Sequence, residues 1–441
     1  MKKEQKHNAV ELLKNLSIDR LNTMQEDFIE RSKVSNNISL LAPTGTGKTL
    51  AFLIPLINQL NKDVKGVQAL IIAPSRELSI QIEGVLKSLK TPFKVSCCYG
   101  GHSAKTEQNS LQESPEVVIG TPGRISDHIL RKSFDTRTIT LVVVDEFDKS
   151  LQLGFHDQLK TIFKSLSGNQ RHYLTSATQM NVLPDFLPFS KPEIVNYLKN
   201  ESESKLVLKL VHTKSEVKVE TLMRLVAGFE NEMCLVFCNH RDAVDRISAL
   251  LTSHNFVHGV LHGGMEQIDR EKNLIKFKSE AYRLLIATDL AARGLDIEQI
   301  RHIVHYQLPP KKDQFIHRKG RTARMHCSGE AYLILANDET LPDYIDKSVE
   351  EIVLPEKWKV PELPNFVCLY FSGGKKDKIS KGDIVGLLTK KCGLAGSDIG
   401  TIVTLDYASY VSVKRNVVDL VLTKTKNEKI KKLKLKIEIA D

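Results

Sequence analysis

Short apolar runs rich in β-branched residues recur along the chain, and stretches with helical spacing of apolar residues follow them. The first series lies at Ile38–Ala42, Ala69–Ala73, Val117–Gly120, Leu141–Val144 and His172–Thr175. The second lies at Cys234–Cys238, His258–Leu261, Arg283–Ala287, His302–Tyr306 and Gly329–Leu335. Continuous apolar strands that alternate with helices are typical of parallel sheets covered on both faces. The pattern therefore predicts two α/β domains in succession.

Two stretches break this alternation. The charged segment at Tyr197–Leu206 separates the two series, and the proline-bearing segment Pro355–Pro364 follows the second. Because proline disfavours helix at the residue before it, the second segment is predicted to be a semi-rigid linker. We therefore expect domains at residues 1–204, 205–356 and 365–441.

The last part of the chain has a different pattern. It predicts a strand at Phe366–Ser372, a basic turn at Gly373–Lys378, a helix at Lys381–Lys391, and strands at Ser409–Val413 and Leu433–Ile439. This order is that of a small α+β domain such as an RNA recognition motif (RRM).

Positive charge is concentrated in this last part. The chain has a formal net charge of +10, and residues 365–441 hold 15 Lys and Arg against 8 Asp and Glu. A basic terminal domain suits a polyanion such as RNA. The alternatives are a solvated lysine-rich surface and an edge strand that lysines protect from aggregation. The basic turn with Lys375, Lys376 and Lys378, and the strand around Tyr410, favour RNA contact.

Cysteine and hydropathy patterns indicate the compartment. The seven cysteines are scattered without a C-x-x-C pair, as in proteins of a reducing cytosol. The first residues carry charges but no apolar signal-peptide core, and no apolar run approaches the roughly 20 residues of a membrane helix. We expect a soluble, cytoplasmic monomer with no membrane partner.

A glycine-rich loop follows the first predicted strand. Glycines permit the torsions that turn successive N–H groups toward phosphate oxygens, and the helix that follows adds a favourable dipole. Lys48 would reach the β- and γ-phosphates, and the Thr49 hydroxyl would ligate Mg²⁺. The loop, which predicts an ATP-type site, consists of Ala42, Pro43, Thr44, Gly45, Thr46, Gly47, Lys48 and Thr49.

Acidic residues follow the predicted strand Leu141–Val144. Asp145 is the natural Mg²⁺ partner, in part through water, and Glu146 is the natural group to orient or deprotonate an attacking water. Such carboxylates also serve as helix N-caps, but the phosphate loop in the same domain favours catalysis. The second domain offers the arginine cluster His317–Arg324, which would stabilise charge on a transferring phosphoryl group or form a polyanion patch.

Together these motifs resemble those of the DEAD-box RNA helicases of superfamily two. In the first domain they are APTGTGKT (42–49), PSREL (74–78), GG (100–101), TPGR (121–124), DEFD (145–148) and SAT (176–178). In the second they are LVFCN (235–239), LHGGMEQIDR (261–270), ATDLAARGLDI (287–297) and HRKGRTAR (317–324). The resemblance covers about residues 20 to 340 and implies two RecA-like domains that close on ATP and RNA.

The resemblance also implies roles for single residues. Gln25 would read the adenine edge, Asp296 would contact the ribose, and Arg321 and Arg324 would be arginine fingers. The residues expected to connect hydrolysis to strand separation are Ser176 and Thr178. Those expected to contact the RNA backbone are Arg76, Gly101, Thr121, Arg124, Arg270 and Thr288.

Two segments depart from the family pattern. Phe147 stands where the DEAD tetrad has alanine, and Asn22-Thr23-Met24 stands where Thr-Pro-Ile usually precedes the glutamine. Both expected catalytic carboxylates are nevertheless present.

The last domain has a resemblance of its own. SGGKKDKI (372–379), DIG (398–400) and SYVSV (409–413) resemble the RNA-binding domain of the DbpA subfamily of DEAD-box helicases. That subfamily recognises a hairpin region of large-subunit ribosomal RNA and acts in ribosome assembly. The resemblance thus implies structured ribosomal RNA or pre-ribosomal particles as partners.

The sequence therefore predicts two RecA-like α/β domains followed by a small α+β, RRM-like domain, acting as an ATP- and Mg²⁺-dependent RNA helicase that unwinds short duplexes locally. One alternative is an ATP-gated RNA clamp that does not unwind; intact Glu146, Arg321 and Arg324 favour the helicase. The other is a DNA helicase or a plain P-loop ATPase; Gln25 and the basic terminal domain favour RNA.

Overall fold

The apolar runs become ten of the strands of two seven-stranded parallel sheets. The computed structural model describes residues 9–16, 18–101, 104–179, 182–198, 206–292, 300–322, 329–346, 348–431 and 433–440. These residues fall into two compact units, the first ending at residue 198 and the second beginning at residue 206. Within these ranges, no helix has the length and apolar character needed to span a membrane.

The first unit is the first RecA-like domain. Its strands are β1 (Asn37–Leu41), β2 (Ala69–Ile72), β3 (Val95–Cys98), β4 (Val117–Gly120), β5 (Leu141–Val144), β6 (Arg171–Ser176) and β7 (Glu193–Asn196), in the order β3-β4-β2-β5-β6-β1-β7. Its helices are α1 (Ala9–Asn15), α2 (Thr23–Ser32), α3 (Lys48–Gln59), α4 (Arg76–Ser88), α5 (Ala104–Gln112), α6 (Pro122–Leu130), α7 (Phe147–Gln152) and α8 (His156–Lys164).

Helices cover both faces of this sheet, which explains its unbroken apolar strands. Along β2, Ala69 and Ile71 lie in one apolar core, and Leu70 and Ile72 lie in the other. All four residues are fully buried. Two-sided burial removes the alternation of apolar and polar residues that a half-exposed strand would show.

The second unit contains the second RecA-like domain. Its strands are β8 (Leu206–Thr213), β9 (Met233–Cys238), β10 (Gly259–Leu261), β11 (Leu284–Thr288), β12 (Ile300–His305), β13 (Gly329–Ala336) and β14 (Glu350–Glu351), in the order β10-β11-β9-β12-β13-β8-β14. Its helices are α9 (Lys218–Ala227), α10 (Arg241–Ser253), α11 (Gln267–Lys278), α12 (Asp289–Ala292) and α13 (Lys312–Lys319). All ten apolar runs of the sequence are strands of these two sheets, which confirms the predicted fold class.

The same unit also contains the C-terminal domain. Its elements are β15 (Phe366–Phe371), α14 (Lys381–Lys390), β16 (Ile399–Thr404), β17 (Ser409–Lys414), α15 (Val418–Thr425) and β18 (Ile437–Ile439). The four strands form an antiparallel sheet in the order β16-β17-β15-β18. Leu369, Phe371 and Val411 on one sheet face pack with Ile384 of α14 and Val421 of α15. The small RRM-like domain is thus confirmed, with β18 shorter than the predicted strand.

The linker between these two domains forms neither helix nor strand from Pro355 to Pro364. It nevertheless packs on the second domain, since the Trp358 ring lies 5.8 Å from that of Phe256, centroid to centroid. Ile352 and Leu354, just before the linker, pack on the same core. This packing fits the predicted semi-rigid connection.

Candidate nucleotide and RNA sites

The glycine-rich loop leaves the end of β1 and leads into α3. Gly45 and Gly47 have φ angles of 81° and 84°, in the left-handed region that glycine adopts without strain. The Lys48 ammonium donates to the carbonyl oxygens of Ala42 at 2.7 Å and Pro43 at 2.8 Å, so that it lies inside the loop. The predicted phosphate-binding lysine and the loop are therefore brought together.

Gln25 contacts this loop from α2. Its Oε1 accepts the Asn22 N–H at 2.9 Å, and its Nε2 donates to the Gly47 carbonyl at 3.1 Å. A Cβ on Gly47 would lie 2.4 Å from that Nε2, so a side chain there would displace the Gln25 amide, and the φ of 84° favours glycine as well. The residue predicted to read adenine is thus placed against the phosphate loop.

Asp145 and Glu146 follow the end of β5. Asp145 is buried and accepts hydrogen bonds from the Glu146 N–H at 3.1 Å and from the Thr175 hydroxyl. Burial and the neighbouring Glu146 charge raise the pKa of Asp145 to about 6. Glu146 has a left-handed backbone with φ 47°, a strained conformation for a residue other than glycine.

This donor set fits a nucleotide with a divalent cation. A cation would relieve the repulsion between the two buried carboxylates, and Mg²⁺ prefers oxygen ligands such as the Asp145 carboxylate and the Thr49 hydroxyl. Lys48 supplies positive charge in the same place, as its effect on the Asp145 pKa shows.

A short chain of hydrogen bonds connects the acidic segment to the end of β6. The Ser176 hydroxyl donates to the Thr178 carbonyl at 2.6 Å, and the Thr178 hydroxyl donates to Asp148 Oδ2 at 2.7 Å. Sequence reasoning assigned roles to Ser176 and Thr178 but missed Asp148 and Thr175. Phe147, which replaces the usual alanine, is fully buried in the apolar core on that side of the sheet.

The first domain's predicted RNA contacts follow the ends of three neighbouring strands. Arg76 follows β2, Gly101 follows β3 and Thr121 follows β4. The Arg76 guanidinium packs against Gly100, where an added Cβ would lie 3.1 Å from Nη2. Parallel pairing therefore gathers these residues at one sheet edge, where ligands of α/β folds bind.

Glu107 of α5 holds the fourth predicted contact, Arg124. The sequence alone did not reveal this role of Glu107. Its buried carboxylate accepts the Tyr99 N–H at 2.9 Å and pairs with His128 Nε2 at 2.8 Å and Arg124 Nε at 3.1 Å. Cys98 lies close enough to suggest a metal site. However, burial raises the pKa of the Cys98 thiol to about 12, and Arg124 occupies the carboxylate, so the cluster fits an arginine anchor instead.

In the second domain, Arg270 lies in α11 and Thr288 ends β11. Arg321 follows α13 and is 6% exposed, whereas Asp296 and Arg324 lie outside the described residues. The neighbouring Arg318, which sequence reasoning left without a role, is 1% exposed. It donates to Asp289 at 2.7 and 2.6 Å, to the Gln307 carbonyl at 2.7 Å and to Asn239 at 2.7 Å, which makes it a buried tie between motifs.

The basic turn of the C-terminal domain is exposed and meets a second basic segment. The Lys431 ammonium donates to the Lys378 carbonyl at 2.8 Å, and the Ser372 N–H donates to the Lys436 carbonyl at 3.0 Å. We call the exposed residues Lys375, Lys376, Lys378, Lys431, Lys434 and Lys436 the lysine surface. Tyr410, predicted to contact RNA, is instead buried, with 2% of its surface exposed.

Three family models match the chain in succession. The DEAD/DEAH box helicase model matches residues 22–186, the helicase conserved C-terminal domain matches residues 217–326, and the DbpA RNA binding domain matches residues 368–439.

Known proteins agree with these matches. The chain is 30% identical over 472 residues to the ATP-dependent RNA helicase DbpA of Bacillus subtilis (strain 168), covering 99% of this chain and 98% of the relative. It is 30% identical over 408 residues to DbpA of Escherichia coli (strain K12), covering 90% and 89%.

Solved structures of similar fold include S. cerevisiae Dbp5 bound to RNA and ADP BeF3, with a TM-score of 0.69 and 25% identity over 75% of this chain and 88% of that one. Another is Mss116p bound to ssRNA and AMP-PNP, with a TM-score of 0.68 and 26% identity over 74% and 72%. With a relative matched over nearly its whole length and a family model on each of the three domains, the chain belongs to the DEAD-box ATP-dependent RNA helicases of the DbpA type.

Proposed function

We propose that this helicase separates short RNA duplexes locally and that its target is structured ribosomal RNA in assembling large ribosomal subunits. The observation that carries the unwinding proposal is the bond from Thr178 to Asp148, beside the catalytic Glu146. It connects the groups that hold and cleave ATP to the end of a neighbouring strand. We propose that this bond passes a change at the phosphates from the segment after β5 to the segment after β6, at the same end of the sheet as Arg76, Gly101 and Thr121.

In the proposed reaction, water attacks the γ-phosphorus of ATP, the bond to the β–γ bridging oxygen breaks, and ADP and phosphate leave. Glu146 orients the water and takes its proton, while Lys48 holds the phosphates. Mg²⁺ held by Thr49 and Asp145 would neutralise phosphate charge. From the second domain, Arg321 and Arg324 stabilise charge that develops during transfer, and Gln25 and Asp296 hold the nucleoside.

RNA recognition is divided between the domains. The six backbone-contact residues of the two RecA-like domains supply affinity without sequence information. The lysine surface supplies the preference for a structured target. The similarity of residues 368–439 to the DbpA RNA binding domain supports ribosomal RNA as that target. We further propose a cytoplasmic monomer with domains at residues 1–204, 205–356 and 365–441.

Displacement of one strand from a short labelled RNA duplex tests the unwinding proposal. The wild-type protein should displace the strand with ATP, and Glu146→Gln should bind ATP but lose most turnover and displacement. If RNA stimulates phosphate release while the duplex stays intact, the protein is an ATP-gated clamp. A matched DNA duplex that competes equally well would contradict the choice of RNA.

The ribosomal target needs a separate measurement. Crosslinking the protein to RNA in cells and sequencing the bound fragments should give a cluster of fragments in large-subunit ribosomal RNA. An even distribution over cellular RNA would overturn this part while leaving the helicase activity untouched.

A further inference from the structure

Thr175 is fully buried at the end of β6, immediately before Ser176. On one side it lies opposite Leu40 of β1, and on the other side β6 pairs with β5, which ends one residue before Asp145. The Ser176 carbonyl accepts the Ala42 N–H of the phosphate loop at 3.0 Å. Thr175 therefore belongs to the strand that separates the phosphate loop from the acidic segment.

The hydroxyl of Thr175 makes two hydrogen bonds, and both partners belong to the acidic segment. It donates to Asp145 Oδ1 and accepts the Glu146 N–H at 3.1 Å. The same Glu146 N–H also lies 3.1 Å from Asp145 Oδ1. The three groups thus form a closed triangle, which uses the hydroxyl both as a donor and as an acceptor.

The first consequence concerns the Asp145 carboxylate. Within the part of the chain that the structure describes, both hydrogen bonds to this carboxylate go to Oδ1. Oδ2 is the oxygen that remains for a cation or for a water that a cation binds, and Mg²⁺ prefers such oxygen ligands. The Thr175 hydroxyl therefore holds the carboxylate in one orientation.

The second consequence concerns the backbone of Glu146. Its left-handed conformation, with φ 47° and ψ 52°, is unfavourable for a residue other than glycine and persists only where neighbouring contacts hold it. The two acceptors of its N–H are such contacts. Because a side chain leaves in the direction that its backbone torsions give it, the same contacts determine where the Glu146 carboxylate points.

Elsewhere in this chain a buried or half-buried threonine hydroxyl bonds to a backbone carbonyl. The Thr138 hydroxyl donates to the Val67 carbonyl at 2.8 Å. The Thr425 hydroxyl donates to the Val421 carbonyl at 2.7 Å. Either arrangement satisfies the hydroxyl, as burial requires. Thr175 differs because its partners are the two consecutive acidic residues proposed to act on ATP and its cation.

We propose that Thr175 is a positioning residue for ATP hydrolysis. Its hydroxyl fixes the Asp145 carboxylate and the Glu146 backbone to each other, so that the cation ligand and the water-activating group are already arranged when ATP binds. This inference rests on the roles proposed above for Asp145 and Glu146, and it adds a residue that lies outside the motifs of the family resemblance.

Substitutions in the full-length protein test the role of the hydroxyl. Thr175→Val removes it and keeps the β-branched shape, whereas Thr175→Ser keeps it. With saturating RNA, we expect Thr175→Val to lower kcat about ten- to a hundredfold, as for one or two lost hydrogen bonds, and Thr175→Ser to stay within about threefold of wild type. The control Thr138→Val removes one hydrogen bond before β5, at the opposite end of the same strand, and should change kcat less than about twofold.

A second measurement does not depend on turnover. A fluorescent ATP analogue is titrated with Mg²⁺ and, separately, with EDTA. Thr175→Val should raise the Kd of the Mg²⁺ complex at least about threefold, because a carboxylate that is no longer held binds the cation less well, and should leave the Kd of the metal-free nucleotide within about twofold. Thr138→Val should leave both unchanged. Each valine variant should lower the Tm by about 2–4 °C, as for roughly 1 kcal/mol.

Thr175→Ala is the second variant, since it removes the hydroxyl without placing a methyl group against the Asp145 carboxylate, and it should show the same losses. Wild-type kcat in Thr175→Ala, or a Thr175→Ser variant as slow as Thr175→Val, would overturn the positioning role. Equal losses of kcat in Thr175→Val and Thr138→Val would reduce the effect to destabilisation of the domain. An active Glu146→Gln variant would instead refute the proposed function, whatever the substitutions at Thr175 do.

Discussion

Asn22 stands where the family pattern has threonine, and each side-chain atom has its own partner. Oδ1 accepts the Gln25 N–H at 3.0 Å and caps α2, while Nδ2 donates to the Thr46 carbonyl of the phosphate loop at 3.0 Å. The departure from the family pattern therefore preserves the cap and adds a tie to the loop.

Substitutions at Asn22 separate these two contacts. Asn22→Asp keeps the cap acceptor and loses the donor to Thr46, so we expect the KM for ATP to rise about three- to tenfold, as for one lost hydrogen bond, with little change in Tm. Asn22→Ala also loses the cap and should lower the Tm by about 2–4 °C, as for roughly 1 kcal/mol. Because aspartate adds charge near the phosphates, Asn22→Ser is the uncharged control. An unchanged KM in both polar variants would show that the hydrogen bond from Asn22 to Thr46 does not contribute to ATP binding.

Lys48 and Arg321 are expected to act at different stages of ATP hydrolysis. Lys48 lies inside the phosphate loop and meets charge already present in bound ATP, so Lys48→Ala should mainly weaken ATP binding. Arg321 should act on charge that develops later, so Arg321→Ala should lower kcat by about 10²–10³ with little change in affinity. Nucleotide titration and single-turnover hydrolysis measure the two effects. Equal losses of affinity would reject this division.

At the scale of elements, α5 determines the position of α6. Glu107 of α5 holds Arg124 and His128 of α6 and the backbone after β3. Arg124, which we propose contacts RNA, is therefore oriented by a carboxylate that itself lies buried, and its position depends on how three elements pack.

Changes at Glu107 test this dependence. Glu107→Gln keeps the side chain's shape but removes the charge that holds Arg124, so the half-maximal RNA concentration for ATPase stimulation should rise several-fold while the KM for ATP stays the same. Glu107→Ala should in addition destabilise the domain by about 1–3 kcal/mol, because it leaves buried donors without a partner. Glu83→Gln, which removes one charge of the surface pair with Lys87, is the control. Equal effects at both positions would exclude a specific role for Glu107.

The central elements were predictable from the sequence because burial on both faces leaves an unbroken apolar run. The strand Glu193–Asn196 at one edge of the first sheet was not, although β10, an edge strand of the second sheet, was. Glu193–Asn196 is short, and its Ile194 is 57% exposed, so the apolar signal is weak. Helix α15 (VDLVLTKT) is rich in β-branched residues that favour strands, and its packing in the domain core outweighs that preference.

Residues of the candidate site could be assigned from the sequence where a motif indicates their chemistry. Lys48, Asp145 and Glu146 needed only the phosphate loop and the strand ends to be assigned. Asp148, Glu107 and Arg318 act through distant partners, which spacing along the chain does not reveal. Tyr410 shows the same limit, because alternation along β17 identifies two faces but not which of them another domain covers.

At the scale of the whole molecule, the distribution of positive charge agrees with the arrangement of the domains. Most of the positive excess lies in residues 365–441, and the fold brings lysines from both ends of this domain to one surface. The sheet face that contains Tyr410, in contrast, lies near the acidic residues Asp269 and Glu271 of α11. We therefore expect one side of the C-terminal domain to bind RNA, while the other side packs on the second RecA-like domain.

Lysine substitutions on the C-terminal domain test whether this surface selects the RNA. Lys375→Ala with Lys376→Ala should raise the half-maximal concentration of ribosomal hairpin RNA for ATPase stimulation. The double variant should also reduce the slope of log affinity against log salt by up to about two, since each phosphate contact contributes roughly one. The control is Lys390→Ala with Lys391→Ala, which removes equal charge at the far end of α14, a ten-residue helix about 15 Å long. Deletion of residues 365–441 should also abolish the preference for ribosomal RNA over a random duplex. If the two double variants lose RNA affinity equally, the RNA is attracted by general positive charge. If neither variant loses affinity and the deletion variant still prefers ribosomal RNA, the RecA-like domains select the target themselves.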